Sequence, residues 1–254
     1  MNLKQGERLD YVNDSLSLIQ DPEGLTFGTD ALLLAGYVEG CCTSMLELGA
    51  GTGIISMLIL KRGKAKQVKA LEIQSDFVDL IKRNAEYNGL SDKLFAEQCD
   101  VREFRSGGEF DCVFTNPPYM KKDSGKLNLS SKKTIARHEL FGDINDFLCA
   151  ASRALKWGGS FYAVYRADRL TDLICAMREA KIEPKRMTYV HADIYSSPSM
   201  VLIEGKRGGA TGLRVTRPLI IHCDKAHKEY TPEMQYIMDN GCFGEEFGVK
   251  NGKS

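Results

Sequence analysis

The chain has 254 residues, enough for one α/β domain with a substantial core and too few for two full-sized catalytic domains. Its 34 lysines and arginines balance its 34 aspartates and glutamates, so the overall charge gives no reason to expect a polyanionic partner. The eight cysteines show no CxxC spacing and are expected to be buried thiols in a reducing compartment. No apolar stretch approaches the length of a membrane span. We therefore expect a soluble, cytoplasmic protein.

A hairpin and a helix are predicted within residues 1–40. Apolar residues at 16–20 and 25–27 flank the segment Asp-Pro-Glu-Gly at 21–24, which is a typical turn sequence. An apolar run from residue 29 to residue 38 predicts the helix. We expect these residues to form a separate N-terminal segment ahead of the main domain.

Strands and helices alternate along the middle of the chain, which predicts an α/β fold with a mostly parallel sheet and helices on both faces. The predicted strands cover residues 44–48, 67–73, 94–99, 110–115 and 159–165. The predicted helices cover residues 54–62, 75–88, 143–156 and 168–180. The first of these helices ends near Gly63, and the second has Ser75 as its expected N-cap and Gly89 as its C-terminal stop.

The C-terminal part adds predicted strands at 185–191, 200–204 and 213–222, and the sheet is expected to include an antiparallel strand near the C-terminus. A last helix is predicted to begin at Pro232, capped by Thr231. Residues 241–254 are rich in glycine and charge and are expected to fray. The main domain is therefore predicted to span residues 41–240.

A glycine-rich turn follows the first strand of the main domain, where residues 47–53 are Glu-Leu-Gly-Ala-Gly-Thr-Gly. Glycines at such a position let backbone N–H groups approach a ligand closely. A dinucleotide-binding fingerprint would need a glycine at Ile54, and the Gly-Lys-Ser at the end of the chain lacks the context of a P-loop. The turn instead resembles the first motif of S-adenosylmethionine-dependent methyltransferases. Its candidate cofactor-binding residues are Glu47, Gly49, Gly51 and Gly53.

Two acidic residues end the next two predicted strands. A carboxylate at Glu72 can accept both ribose hydroxyls of a bound nucleoside. Asp100, or the backbone N–H of Val101, can hold an adenine edge. Either acid alone is as easily a surface residue, but three signals at successive strand ends favour binding of S-adenosyl-L-methionine.

Residues 116–119 are Asn-Pro-Pro-Tyr and leave the strand at 110–115 beside the glycine turn. Ligands bind at the carboxyl edge of such sheets, so the position argues against an ordinary proline turn. Asn116 and Pro117 offer a side-chain and a backbone carbonyl to the hydrogens of a planar amine, and Tyr119 offers a ring for stacking. We therefore predict methyl transfer to a planar nitrogen, with these three residues as the catalytic residues.

Residues 120–137 concentrate positive charge next to this motif, with five lysines and one arginine against a single aspartate. The segment is either a solvated loop or a surface that contacts phosphates. In the second interpretation the substrate-binding residues are Lys121, Lys122, Lys132, Lys133 and Arg137. More distant cations that would add to this surface, if they share its face, are Lys206, Arg207, Arg214 and Arg217.

No metal site is predicted. His222, Cys223 and His227 lie close together in the sequence, but no matching set of ligands occurs elsewhere in the chain. In-line methyl transfer depends on positioning rather than on a strong base, so the predicted chemistry requires no histidine.

Five segments carry a more specific resemblance. They are residues 27–35 (Phe-Gly-Thr-Asp-Ala-Leu-Leu-Leu-Ala), 47–53, 116–119, 136–139 (Ala-Arg-His-Glu) and 230–234 (Tyr-Thr-Pro-Glu-Met). With these segments the chain resembles the tRNA1(Val) adenine-N6 methyltransferase family. The resemblance implies a single Rossmann-like class I methyltransferase domain that methylates a tRNA adenine beside the anticodon. It also implies that Thr29 and Asp30, within residues 1–40, close over the methionine end of the cofactor.

Other substrates share the Asn-Pro-Pro-Tyr motif, namely guanine in ribosomal RNA, a protein glutamine and adenine in DNA. Enzymes that act on them usually carry an additional recognition domain, for which this length leaves no room. A non-catalytic scaffold that binds the cofactor and supports a partner enzyme is a further alternative. Asn116 and Tyr119 argue against the scaffold, since it would have no physical need for them.

Overall fold

The structure is a computed structural model that describes residues 3–20, 28–118 and 142–247. The strands in these ranges are β1 (Arg8–Asn13), β2 (Leu16–Gln20), β3 (Cys42–Leu48), β4 (Ala65–Glu72), β5 (Leu94–Gln98), β6 (Phe110–Thr115), β7 (Leu155–Arg166), β8 (Ile182–His191), β9 (Met200–Arg207), β10 (Arg214–Val215) and β11 (Leu219–Ile220). The helices are α1 (Thr29–Tyr37), α2 (Ile54–Lys61), α3 (Ser75–Tyr87), α4 (Ile144–Ala154), α5 (Leu170–Glu179) and α6 (Pro232–Asn240), with 3-10 turns at Ala167–Arg169 and Glu245–Phe247.

One large sheet has the strand order β10-β8-β9-β7-β6-β3-β4-β5, and β11 also pairs with β8. Its neighbouring strands are parallel except at β9, which runs antiparallel to both β7 and β8. Parallel neighbours need a crossover connection, and α2 supplies the one between β3 and β4. The predicted α/β fold, with a mostly parallel sheet and an antiparallel strand near the C-terminus, is confirmed.

Two apolar layers cover the sheet. One face packs against α1, α2, α3 and α6, and the other packs against α4 and α5. Side chains alternate as the pleat requires, so that Met45 and Phe114 face the first layer whereas Leu46 and Val113 face the second. None of the helices in the described ranges has the length and apolar character that a membrane crossing requires.

The N-terminal hairpin differs from the predicted one. β1 and β2 pair antiparallel around a turn at residues 14 and 15, so residues 16–20 form the second strand of the hairpin rather than the first. None of the β1 side chains is fully buried, so this strand has no apolar face that a sequence pattern could reveal. The predicted turn at 21–24 and strand at 25–27 lie outside the described residues.

Two asparagines of α3 attach this hairpin to the main domain. The buried Asn84 accepts the N–H of Ile19 at 2.7 Å and donates to the carbonyl of the same residue at 3.1 Å. Asn88 makes the equivalent pair of bonds with Ser17, at 3.2 and 2.8 Å. Side chains one helical turn apart match the spacing of alternate strand residues, so α3 replaces a neighbouring strand at the edge of β2.

The carboxyl ends of the central strands meet at one edge of the sheet. Leu48 at the end of β3 lies opposite Leu71 of β4 and Thr115 of β6. The buried Thr115 hydroxyl donates to the Leu48 carbonyl at 2.8 Å. This bond holds the glycine turn, which follows Leu48, next to the Asn-Pro-Pro segment, which follows Thr115.

The C-terminal part departs from prediction in two places. The strand predicted at 213–222 is two short strands, β10 and β11, separated by Pro218, which has no N–H for the sheet. Residues 241–247 do not fray, because Phe243 and Phe247 are 2% and 1% exposed and their rings pack edge to face. The last helix begins at Pro232 with Thr231 as its cap, as predicted.

Candidate active site

Three glycines shape the turn between β3 and α2, and all have left-handed φ angles, of 70° at Gly49, 54° at Gly51 and 79° at Gly53. A Cβ added at Gly49 would lie 3.1 Å from Phe147, and one at Gly53 would lie 3.1 Å from Ile81. A Cβ at Gly51 would meet no atom within 4 Å. Two of the glycines therefore serve packing, whereas Gly51 faces open space in which a ligand can approach the backbone.

Glu47 lies beneath this turn, inside the protein. The side chain is 1% exposed, and its carboxylate accepts the Ser56 backbone N–H at 3.3 Å and the Ser56 hydroxyl. Burial raises the pKa of Glu47 to about 8. The predicted cofactor contact of Glu47 is thus corrected to an indirect one, because the side chain holds the start of α2 and the turn above it.

Glu72, at the end of β4, binds the same turn from the side. Its Oε2 accepts the N–H of Gly51 at 2.8 Å, and its Oε1 accepts the N–H of Gln74 at 3.0 Å. Each carboxylate oxygen can accept a second hydrogen bond. Glu72 therefore keeps the acceptor capacity that ribose hydroxyls would need, next to the open space at Gly51.

Asp100 is paired within its own turn. Arg102 donates its Nε and its backbone N–H to the carboxylate, both at 2.9 Å. The side-chain hydrogen bond from Arg102 lowers the pKa of Asp100. An adenine bound at this edge would hydrogen-bond either to the Asp100 carboxylate, which also binds Arg102, or to the backbone of the buried Val101.

Asn116 follows β6 and contacts the start of α1. Its Nδ2 donates to Oδ2 of Asp30 at 2.8 Å. Its Oδ1 is buried and accepts no hydrogen bond from any residue in the described ranges. A buried carbonyl oxygen without a donor is unfavourable, and such groups in folded proteins call for an explanation. A donor to this oxygen would have to come from a bound molecule or from outside the described ranges.

A cavity of about 350 Å³ opens beside Pro117 and Pro118. Its other walls are the end of β7, the start of α4 and one side of α5, including Ile144, Phe147, Tyr165, Arg169 and Asp172. The cavity-lining residues of α4 and α5 are not among those predicted from the sequence, because no sequence motif marks them. They could have been found only from the position of the two helices, since both begin at the carboxyl edge of the sheet that carries Asn116.

Several predicted substrate contacts can be placed on the sheet and others cannot. Lys206 and Arg207 end the antiparallel β9, so they lie at the edge of the sheet opposite to Asn116. These two residues therefore do not share a face with the motif and do not add to a basic surface beside it. Arg217 forms ion pairs with two glutamates. The predicted residues that lie outside the described ranges are Tyr119, Lys121, Lys122, Lys132, Lys133 and Arg137.

His222 and His227, which are considered above as metal ligands, pack against each other. The rings of His222 and His227 are stacked, with centroids 4.7 Å apart and planes 15° apart. His227 Nε2 lies 3.0 Å from Oδ2 of Asp193. Within residues 3–20, 28–118 and 142–247, no group of three or more His, Cys, Asp or Glu side chains is arranged to hold a metal ion.

Curated proteins are similar to this chain over most of their length. A Phocaeicola vulgatus protein named tRNA1(Val) (adenine(37)-N6)-methyltransferase is 29% identical over 191 residues, which cover 75% of this chain and 80% of that protein. A protein of the same name from Flavobacterium johnsoniae is 27% identical over 221 residues, which cover 85% of this chain and 92% of that protein.

Solved structures of methyltransferases have the same fold. A predicted O-methyltransferase from Agrobacterium tumefaciens superposes with a TM-score of 0.68 at 21% identity, covering 85% of this chain and 98% of that chain. M. jannaschii TYW2 in complex with AdoMet (S-adenosyl-L-methionine) superposes with a TM-score of 0.57 at 14% identity, covering 81% and 88%. The fold of this chain is therefore the Rossmann-like fold of class I methyltransferases.

The strand-end residues suit the cofactor of such enzymes. Gly51 leaves open space above the backbone, and Glu72 beside it has acceptor capacity for a nucleoside. The cofactor is accordingly S-adenosyl-L-methionine (SAM). The sequence model of the methyltransferase small domain matches residues 23–179, which is more than half of the chain. The chain belongs to the methyltransferase small domain family.

Proposed function

We propose that this chain methylates N6 of an adenine in tRNA, beside the anticodon, with SAM as the methyl donor. The observation that carries the proposal is the buried Asn116 Oδ1, which lies next to the cofactor turn and has no donor among the described residues. The relatives named tRNA1(Val) (adenine(37)-N6)-methyltransferase favour this substrate. They favour it over ribosomal guanine, a protein glutamine and a non-catalytic scaffold.

The chain has to hold a poor nucleophile in place. SAM supplies a methyl group on a positively charged sulfur, and transfer joins this carbon to the adenine nitrogen, leaves a neutral thioether and releases one proton from the nitrogen. The N6 lone pair is delocalised into the ring, so N6 must become pyramidal in order to react. Asn116 Oδ1 and the Pro117 carbonyl accept its two hydrogens, and Tyr119 stacks on the base. The rate then depends on positioning rather than on a strong base.

The proposed cofactor contacts follow the strand ends from β3 to β5. The turn at residues 49–53 borders the open space, and Glu72 would accept hydrogen bonds from the ribose hydroxyls. Asp100 and the backbone after it would hold the adenine of the cofactor. At the other end Thr29 and Asp30, at the start of α1, cover the methionine part, which gives residues 1–40 their proposed role.

The cavity beside Pro117 and Pro118 is the proposed entry for the target nucleotide. It lies on the β7 side of Asn116, whereas the cofactor turn lies on the β3 side. Its volume of about 350 Å³ is within the range of roughly 300–1,000 Å³ that is usual for small-ligand pockets. A base in an anticodon loop is unpaired, so extruding it costs less than flipping it out of a duplex. The lysines of residues 120–137 would contact the phosphates around it.

Methyl transfer from labelled SAM to unmodified tRNA, ribosomal RNA and release factor, assayed in parallel, tests this substrate. Nucleoside mass spectrometry should find N6-methyladenosine in the tRNA. If label appeared only in ribosomal RNA or only in protein, methyl transfer would be retained as the activity, but tRNA would be excluded as the substrate. Binding of SAM without transfer to any of the three would favour the scaffold.

A further inference from the structure

The carboxylate of Asp30 joins the start of α1 to the proposed catalytic amide. Its Oδ2 accepts Nδ2 of Asn116 at 2.8 Å, although the two residues are 86 positions apart in the chain. Its Oδ1 accepts the N–H of Ala31 at 3.0 Å, in the first turn of the same helix. Both oxygens of this one carboxylate thus accept from N–H groups, one of them local and the other from the Asn-Pro-Pro segment.

The backbone before Asp30 closely fits this arrangement. A Cβ added at Gly28 would lie 2.6 Å from Oδ1 of Asp30, which is closer than real Cβ contacts allow. Gly28 adopts an extended conformation as the N-cap of α1, with φ −107° and ψ 178°, so a side chain at this position would be compatible with the backbone but would displace the Asp30 carboxylate. The residue at 28 therefore leaves room for the Asp30 carboxylate to lie where it meets Asn116.

An ionised carboxylate can only accept hydrogen bonds, whereas an asparagine amide has a donor end and an acceptor end. The Asp30 carboxylate consequently selects the orientation in which the NH₂ group of Asn116 faces Asp30 and its Oδ1 faces away. Oδ1 is the atom that is buried and has no donor in the described part of the chain. Without the carboxylate, the amide can rotate by half a turn, because the terminal torsion of asparagine is broad and roughly two-fold.

We propose that Asp30 is a positioning residue that fixes the amide of Asn116 with its carbonyl oxygen towards the amine to be methylated. The proposal rests on the proposed function, in which this oxygen accepts an amine hydrogen. A rotated Asn116 would present its NH₂ group to the N–H hydrogens of the substrate, so that two donors would face each other. The role of Asp30 in the reaction is then exerted through Asn116, in addition to any contact with the cofactor.

Exchanging the two residues tests this role. In Asp30→Asn, one amide oxygen has to serve two donors, the Ala31 N–H and the Asn116 NH₂ group. In Asn116→Asp, two carboxylates face each other within hydrogen-bond distance. In the double variant Asp30→Asn with Asn116→Asp, the amide at 30 accepts from Ala31 and donates to the carboxylate at 116. Every bond of the pair is then made, and an acceptor oxygen again faces the substrate.

The kinetic signature separates positioning from folding and from cofactor binding. In single-turnover assays on tRNA at saturating SAM, Asp30→Asn should slow methyl transfer by about tenfold to a hundredfold, the size of effect expected when a charge-assisted hydrogen bond is lost. The Kd for SAM of each variant, measured by calorimetry, sets the concentration at which SAM is saturating, so that loss of the proposed cofactor contact of Asp30 does not lower the measured rate. The double variant should recover a substantial part of the rate lost by each single variant.

Asp76→Asn is the matched control, because Asp76 also lies in the first turn of a helix, α3, but is exposed to solvent. It should leave the transfer rate and the Kd unchanged. A wild-type rate in Asp30→Asn at saturating SAM, or a double variant no faster than the slower single variant, would overturn the proposal. Absence of transfer by the wild-type protein to tRNA would instead refute the proposed function, so the two failures are distinguishable.

Discussion

The carboxylate of Glu72 binds the backbone of Gly51, with 2.8 Å between its Oε2 and the glycine nitrogen. Gly51 is the glycine of the turn that faces open space, so Glu72 fixes the backbone on which the cofactor is proposed to lie. The second oxygen is held by the N–H of Gln74 at 3.0 Å. One side chain thus sets both the shape of the turn and the acceptors offered to the ribose.

Replacing Glu72 by Gln should weaken SAM binding about tenfold to a hundredfold, because a charged acceptor for hydroxyls is replaced by an amide with one fewer acceptor oxygen. Isothermal titration calorimetry measures this change directly. Glu97→Gln serves as the control, since Glu97 is a largely exposed residue of β5. An unchanged affinity in Glu72→Gln would count against the ribose contact.

Glu47 should make the stability of the protein depend on pH. Burial raises the pKa of Glu47 from the ordinary value of 4.5 to about 8, so the folded state favours the protonated form. This contribution to stability is complete below pH 4.5 and is lost as the pH rises through about 8. The free energy of unfolding should fall by up to about 1.4 kcal/mol per pH unit within this window.

Glu47→Gln tests that expectation, because glutamine stays neutral at every pH. Urea unfolding between pH 5 and pH 9 should show the difference in stability between the variant and the wild type shifting in favour of the variant as the pH rises. Parallel curves for the two proteins across this range would contradict the buried, protonated state of Glu47.

Asn84→Ala should loosen the N-terminal hairpin. The substitution leaves the N–H and C=O of Ile19 without their partners, at a cost of about 1–3 kcal/mol for each buried group that stays unpaired. Hydrogen exchange should show faster exchange at Ile19, and urea unfolding should show the lost stability. The exposed Asn240 gives the control, since Asn240→Ala should change stability by no more than about 0.5 kcal/mol. Equal effects of the two substitutions would refute the proposed attachment of the hairpin.

The lysines beside the motif should carry the salt dependence of tRNA binding. Neutralising Lys121, Lys122, Lys132 and Lys133 to glutamine should lower the affinity and flatten its dependence on salt, since each phosphate contact adds about 0.7–0.9 to the slope. The control is a set of four exposed lysines at the opposite edge of the sheet, namely Lys66, Lys93, Lys181 and Lys206. If both sets behaved alike, residues 120–137 would be only a solvated connection.

The order of strands and helices in the main domain is predictable from the sequence, because most elements have an apolar run and a capping or glycine boundary. The strand predicted at 44–48 is Cys42–Leu48, and the helix predicted at 75–88 is Ser75–Tyr87. The hairpin is not predictable in this way. Its first strand has no fully buried side chain, and its attachment depends on Asn84, which is 65 positions from its partner.

The site is predictable to the extent that it lies at strand ends. Parallel strands bring their carboxyl ends to one edge, which is why Glu72 and Asn116 could be assigned to one site from their positions in the sequence. The contact of Asp30 with Asn116 depends on how α1 packs against the end of β6, which no local pattern encodes. The burial of Glu47 likewise follows from the packing of α2 over the sheet, so its sequence motif alone suggested a direct cofactor contact.

The role of the Asn116 amide in methyl transfer is tested by the single-turnover rate of N6-methyladenosine formation in tRNA by Asn116→Ala, at saturating SAM. The rate should fall by at least about a hundredfold, as for loss of one preorganised group at a reacting centre. The Kd for SAM should stay at the wild-type value, and Asn240→Ala should keep the wild-type rate. A rate for Asn116→Ala within about threefold of the wild type, which corresponds to less than about 1 kcal/mol of barrier, would contradict a catalytic role of Asn116.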